Sequence, residues 1–130
     1  MRPPAIEKWH ALAKARDPRG LADLLADEVV FESPVVHTPQ VGKAITTKYL
    51  TSALLVLNNE HFHYIGEWFA PTSGVLEFVT EIEGIKINGV DIITWNADNR
   101  ITHFKVMVRP LKAINLLHQF MAAQLAASGR

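Results

Sequence analysis

The sequence predicts an α+β fold in which a curved antiparallel sheet wraps round helices, and three observations predict it. Apolar residues recur at helical spacing between Ile6 and Leu25, between Ile45 and Leu57, and again after Pro110. From Phe62 to Val108 they alternate with polar residues at period two, the pattern of strands with one buried and one solvated face. Short turn signals rather than linkers separate these segments. One domain over residues 1–130 is therefore expected, in the order helix, helix, strand, helix, four strands, helix.

Each element has a local reason. Ile6, Trp9, Leu12 and Ala13 share a helical stripe, with Glu7, Lys8, Lys14 and Arg16 on other faces. Pro18 disfavours helical geometry at Asp17 but suits the first turn of a following helix. Asp17 is thus read as the N-cap of a second helix carrying Leu21, Leu24 and Leu25. Val29–Glu32 is β-branched and aromatic, a strand closed by Ser33-Pro34, and residues 34–42, with two prolines and no period, read as an ordered loop. Helical spacing returns from Lys43 to Leu57, with Ile45, Tyr49, Ala53 and Val56 on one stripe and Leu50, Leu54 and Leu57 widening it, until Asn58-Asn59.

In the strand half, Phe62, Tyr64 and Trp68 lie opposite His61, His63 and Glu67, and Leu76, Phe78 and Ile82 lie opposite Glu77, Glu81 and Glu83. Asp91 shares a face with Ile93 and Trp95, while Phe104, Val106 and Val108 lie opposite His103, Lys105 and Arg109. Pro71-Thr72-Ser73-Gly74 and Asp98-Asn99 are hairpin turns; the middle turn is either Glu83-Gly84 or Asn88-Gly89, and residue parity is the same in both registers. Pro110 opens a last helix with Leu111, Ile114, Leu117, Met121 and Leu125 on its stripe and His118 as a packing residue among them.

Composition bounds the function. Thirteen Lys and Arg balance 13 Asp and Glu in 130 residues, which leaves no basic excess to track nucleic-acid phosphates. With no cysteine there is no disulfide, zinc-thiolate site or thiol nucleophile. The longest uninterrupted apolar run, Ala53–Leu57, falls far short of the roughly 20 residues of a membrane span. Met1-Arg2-Pro3-Pro4 leads into an amphipathic stretch unlike a signal peptide. A cytoplasmic protein with no cofactor, no nucleic-acid partner and no membrane partner is expected.

Two stretches carry a resemblance. Residues 24–42 read Leu-Leu-Ala-Asp-Glu-Val-Val-Phe-Glu-Ser-Pro-Val-Val-His-Thr-Pro-Gln-Val-Gly, and residues 90–96 read Val-Asp-Ile-Ile-Thr-Trp-Asn. With the layout of the elements, they resemble the nuclear transport factor two-like superfamily, which includes ketosteroid isomerases, limonene epoxide hydrolases and SnoaL-like polyketide cyclases. The resemblance runs to Val108; the last helix lies beyond the isomerase pattern. It implies a cystatin-like cone, a pocket for a small hydrophobic molecule and a homodimer through the outer sheet face. It also implies that Asp91 matches an oxyanion donor, a carboxylic acid kept neutral by an apolar site. The isomerase's general base falls on Ser33, and its oxyanion-hole tyrosine falls on Trp9, whose indole N–H donates one hydrogen bond but has no acidic hydroxyl. A serine hydroxyl is no base near neutral pH unless something activates it.

Asp91 and His37 are the catalytic candidates. Burial among apolar neighbours would raise the Asp91 pKa and make it a hydrogen-bond donor or a mild acid. In the Asn88-Gly89 register, however, Lys86 lies opposite Asp91 and would neutralise it, whereas in the other register Leu76 does. His37, four residues beyond Ser33, offers an imidazole that titrates near neutrality and would replace the missing base. Trp9, Ser33, Tyr49, Tyr64, Phe78, Trp95, Phe104, Val106 and Val108 are the candidate substrate-binding walls. His61 and His63 have the alternate spacing of metal ligands, but parity puts them on the polar outer face, and no metal is expected. The function expected is a small hydrophobic ligand-binding domain. Any chemistry would be cofactor-free proton transfer, as an isomerase, cyclase or hydrolase. The alternative is a non-catalytic homodimerisation or partner-binding module, which predicts a filled interior.

Overall fold

A computed structural model describes residues 2–128. Helix α1 (Pro4–Ala15) starts on a proline, whose missing N–H would have had no intrahelical partner, and ends at Arg16 in the left-handed region. The Asp17 carboxylate then accepts the Arg19 N–H and opens a 3-10 turn, Pro18–Gly20, that runs into the one-turn helix α2 (Leu21–Leu24). Leu25 does not extend that helix. It begins β1 (Leu25–Glu32), four residues before the predicted strand start, because it is fully buried and pairs with Ile101. One helical turn has too little cooperativity to resist such pairing.

The proline-containing segment also hides a strand, β2 (Gln40–Val41), paired antiparallel with Val30 and Phe31. Helix α3 (Lys43–Leu57) has the predicted bounds. The strands β3 (His63–Ala70), β4 (Ser73–Ile82), β5 (Ile85–Trp95) and β6 (Ile101–Arg109) follow as an antiparallel meander. They complete a six-stranded sheet of order β2-β1-β6-β5-β4-β3, in which β1 runs parallel to β6. Its inner face packs on α1, α2 and α3 through a core that includes Ile6, Trp9, Leu21, Phe31, Leu50, Phe78, Ile93 and Phe104.

Glu83-Gly84 is the middle turn, and both residues have positive φ, 51° and 79°, as a two-residue hairpin turn of the twist-compatible kind demands. Lys86 therefore faces Glu81, and Asp91 faces Leu76. The rival dipeptide sits in mid-strand for a packing reason. A Cβ on Gly89 would lie 2.5 Å from Phe78 Cζ and 2.7 Å from the Met107 carbonyl oxygen, so the Phe78 ring occupies the space a side chain would need. Asn88 Nδ2 donates to Glu77 Oε2 and to the Phe78 carbonyl, each at 3.0 Å.

Strict alternation fails in β3. Tyr64 pairs with Phe78 and Gly66 with Glu77, so Ile65 is an extra residue and the strand changes face across it. Trp68, expected on the inner face, lies outside and is 57% exposed. Glu67, expected outside, turns towards α1, where Arg2 Nε donates to it at 3.0 Å and His10 Nε2 lies 2.5 Å from Oε1. Helix α4 (Leu111–Ser128) also departs from its predicted stripe. It docks through Ala113, Leu116 and Leu117, at i, i+3 and i+4, with the small Ala113 allowing close approach; Leu111 (71% exposed) and His118 face solvent. Among the described residues no helix is long and apolar enough to cross a membrane.

Candidate functional site

Asp91 points inward from the middle of β5, between Leu76 of β4 and Val106 of β6, and is 6% exposed. Its Oδ2 accepts a hydrogen bond from the Tyr64 hydroxyl at 2.6 Å, and Tyr64 Oη in turn accepts from the Trp9 indole N–H at 2.9 Å. Three elements thus meet at one polar line: α1 supplies the indole, β3 the phenol and β5 the acid. Ring packing fixes the line. Phe104 lies edge-on to Trp9 at 4.8 Å, and Phe62 and His10 lie edge-on to Tyr64 at 5.2 and 5.1 Å.

A carboxylate removed from water without a cation beside it is strongly disfavoured. Desolvation pushes the Asp91 carboxyl from an ordinary 3.8 up to about 7, against the smaller opposing pull of the Tyr64 hydrogen bond. The same desolvation, reinforced by the Asp91 charge, drives the Tyr64 phenol well above its ordinary range. Near neutral pH the acid is therefore poised between two states. Protonated, it has a hydrogen of its own to donate; ionised, it can only accept.

The carboxyl borders a void of about 40 Å³, walled by Trp9, Tyr64, Phe78, Phe104 and Val106 and, on the helical side, by Ala13, Leu50, Ala53, Leu54, Leu57 and Asn58. A second void of about 30 Å³ lies beneath α4, bounded by Phe31, Ser33, Pro34, Val35, Leu117 and Met121. Ala53, Leu57 and Val106 border both. Ligand pockets usually measure about 300–1,000 Å³, so neither void is large enough as it stands for a ligand of that kind.

Of the sequence-predicted residues, Asp91, Trp9, Tyr64, Phe78, Phe104 and Val106 come together around the first void. The others do not. Ser33 borders the second void, and its hydroxyl oxygen accepts the Val35 N–H at 3.1 Å, a local turn bond. Tyr49 packs on Phe31 at 5.8 Å. Trp95 is buried at the far end of β5 opposite Ile101, beyond both voids. His37 and Val108 line an open surface groove beside Lys105 and Met107, so His37 shares no cavity with Asp91. His61 and His63 do not converge on a common point: His63 Nδ1 contacts the His61 carbonyl oxygen, and the His61 ring lies 3.6 Å from Glu60. No group of three potential metal ligands occurs among the described residues.

Sequence reasoning named Tyr64 as a wall but missed its bond to the acid, and from the α3 stripe it chose Tyr49 as a wall where Leu50, Ala53, Leu54 and Leu57 line the void. The breadth of that stripe, from Leu50 to Leu57, was the available signal. It also missed the Glu67–His10 pair behind Tyr64, which exists because of the β3 bulge.

No protein-family model matches the chain, and no curated protein matches it. Solved structures do. A steroid delta-isomerase from Pseudomonas aeruginosa superposes with a TM-score of 0.90 at 34% identity, over 95% of this chain and 90% of that one. The chain belongs to the nuclear transport factor two-like superfamily. A second member of that superfamily's fold, an uncharacterized cystatin-like protein from Silicibacter pomeroyi DSS-3, gives a TM-score of 0.86 at 27% identity over 93% of this chain and 84% of that one. An NTF2-like protein of unknown function from Mesorhizobium loti gives 0.71 at 17% identity over 82% and 88%, a likeness of fold alone. Against the superfamily's isomerase pattern, with its tyrosine at the position of Trp9, the phenol beside Asp91 comes here from β3.

Proposed function

We propose that this chain binds a small, mostly apolar molecule bearing one hydrogen-bond-accepting oxygen, which the protonated Asp91 carboxyl receives. The observation that carries the reading is a buried acid facing a void. Packing alone gives no reason for it, since an apolar residue in its place would be cheaper to bury. The steroid delta-isomerase likeness points to an apolar ketone as the probe. Abstraction of a carbon-bound proton is not part of the proposal, because Ser33 offers only a hydroxyl, which is no base near neutral pH, and His37 lies in another groove. Occupancy by anything of steroid size requires the walls of the void to part. Titration with a 3-oxo steroid, read by tryptophan fluorescence, should show affinity falling about tenfold between pH 6 and pH 8 as Asp91 loses its proton. Asp91→Asn should abolish that slope; a slope that persists in the variant overturns the assignment, and absence of binding at every pH favours a packed, non-binding module.

We also propose that two copies meet through the outer sheet face. Trp68 and Met107 (53% exposed) flank half-buried Val75, Val90 and Ile92 there, an apolar band crossing four strands. At its margin Glu32 pairs with His103 at 2.6 Å and Lys105 at 3.7 Å. Sedimentation equilibrium should give a dimer mass, and a monomer throughout the micromolar range would refute the pairing.

A further inference from the structure

We infer that Leu57 sets the size of ligand the interior accepts, by holding apart two voids that would otherwise form one elongated pocket. The inference rests on the binding reading above. Of the three residues bordering both voids, Val106 is fixed in the middle of β6 and Ala53 offers only a methyl group. Leu57 is the bulky, half-buried side chain of the partition, at the last turn of α3.

Its backbone is pinned. The Thr80 hydroxyl lies 3.3 Å from the Leu57 carbonyl oxygen and 2.9 Å from Asn59 Oδ1, and Asn59 Nδ2 donates to the Glu81 carbonyl at 2.9 Å. Asn58 Nδ2 donates to the Ala13 carbonyl, tying the same end of α3 to α1. With the helix end held to β4 and α1, the partition depends on a side chain rather than on the backbone.

Neither void alone approaches the roughly 150 Å³ that holds a benzene ring. Joined, they run from Asp91 at one end to Leu117 and Met121 of α4 at the other, and among the side chains of the far end only the Ser33 hydroxyl is polar. Met121 is unbranched and can yield to a ligand. The class of ligand that fits is a flat or elongated apolar molecule with its single oxygen at one terminus.

The test is ligand-observed NMR titration with the bicyclic ketone 2-decalone on the full chain and on Leu57→Ala, Leu57→Val and Ala53→Leu variants, each checked for cooperative unfolding. Leu57→Ala should bind at least tenfold tighter than the unaltered chain, Leu57→Val should gain less in the same direction, and Ala53→Leu should gain nothing. If Leu57→Ala fails to fold, Leu57→Val decides. A folded Leu57 variant with no gain overturns the partition, and if the unaltered chain still shows pH-dependent ketone binding, the Asp91 reading survives that result. Conversely, a gain in Leu57→Ala that is unchanged at every pH in the Leu57→Ala, Asp91→Asn double variant keeps the partition and removes Asp91 as the receiving group.

Discussion

Asp91→Asn should make the protein more stable at pH 8 and no more stable at pH 4.5. The folded carboxyl titrates near 7 and the unfolded one near 3.8. Between those values the unfolded chain has shed a proton that the folded chain retains, so stability falls as pH rises through the interval and is constant above it. A gap of about three units corresponds to about 4 kcal/mol, an order-of-magnitude figure for a buried group. Asparagine never ionises and its Oδ1 can still accept the Tyr64 hydrogen, so that loss is removed. Its amide nitrogen needs an acceptor in an apolar wall, which costs about 1–2 kcal/mol at all pH values. The two stability curves should therefore cross between about pH 4.5 and about pH 5.5, where the lost stability equals that cost, read by urea unfolding at a series of pH values. Tyr64 and, behind it, Glu67 and His10 also face this line, from β3 and α1. Both proteins contain these groups, so the difference between the curves isolates the effect of Asp91. Parallel curves would show that Asp91 is already charged, or already neutral, across the range.

Tyr64→Phe should cost about 2–6 kcal/mol, well beyond the loss of one ordinary hydrogen bond. The hydroxyl is half-way along a line of three groups, and removing it leaves both the Trp9 indole N–H and the Asp91 carboxyl without their partner. Each such orphaned group costs about 1–3 kcal/mol when buried. The hydrogen bond that lowers the Asp91 pKa disappears as well, so the carboxyl should titrate above its present value of about 7. Carboxyl carbon NMR measures that shift directly. Tyr49→Phe, on a ring that packs against Phe31, should change stability by under about 0.5 kcal/mol. If the two substitutions cost the same, the line from Trp9 to Asp91 has no special place in the interior.

The sequence carried α3 and the inward direction of Asp91 because both depend on local periodicity. The Asn88-Gly89 dipeptide, by contrast, is the stronger turn signal on local grounds, yet it lies in mid-strand because Phe78 needs the room that Gly89 leaves. Leu25 satisfies a helical stripe and nevertheless starts a strand, since its partner Ile101 is 76 positions away. The bond between Tyr64 and Asp91 spans 27 residues and depends on a register that parity could not decide. Long-range pairing overrides local pattern wherever the two disagree.

The extra residue at Ile65 has one more consequence. It works as a phase shift: before it, even-numbered residues of β3 look into the core, and after it, odd-numbered ones do. The strand can thus give a phenol to the interior and an indole to the exterior although both residues carry even numbers. Losing Ile65 would exchange the two faces downstream, driving Trp68 inward and Glu67 out, away from α1. A single position thereby holds the outer surface and the buried acid in step.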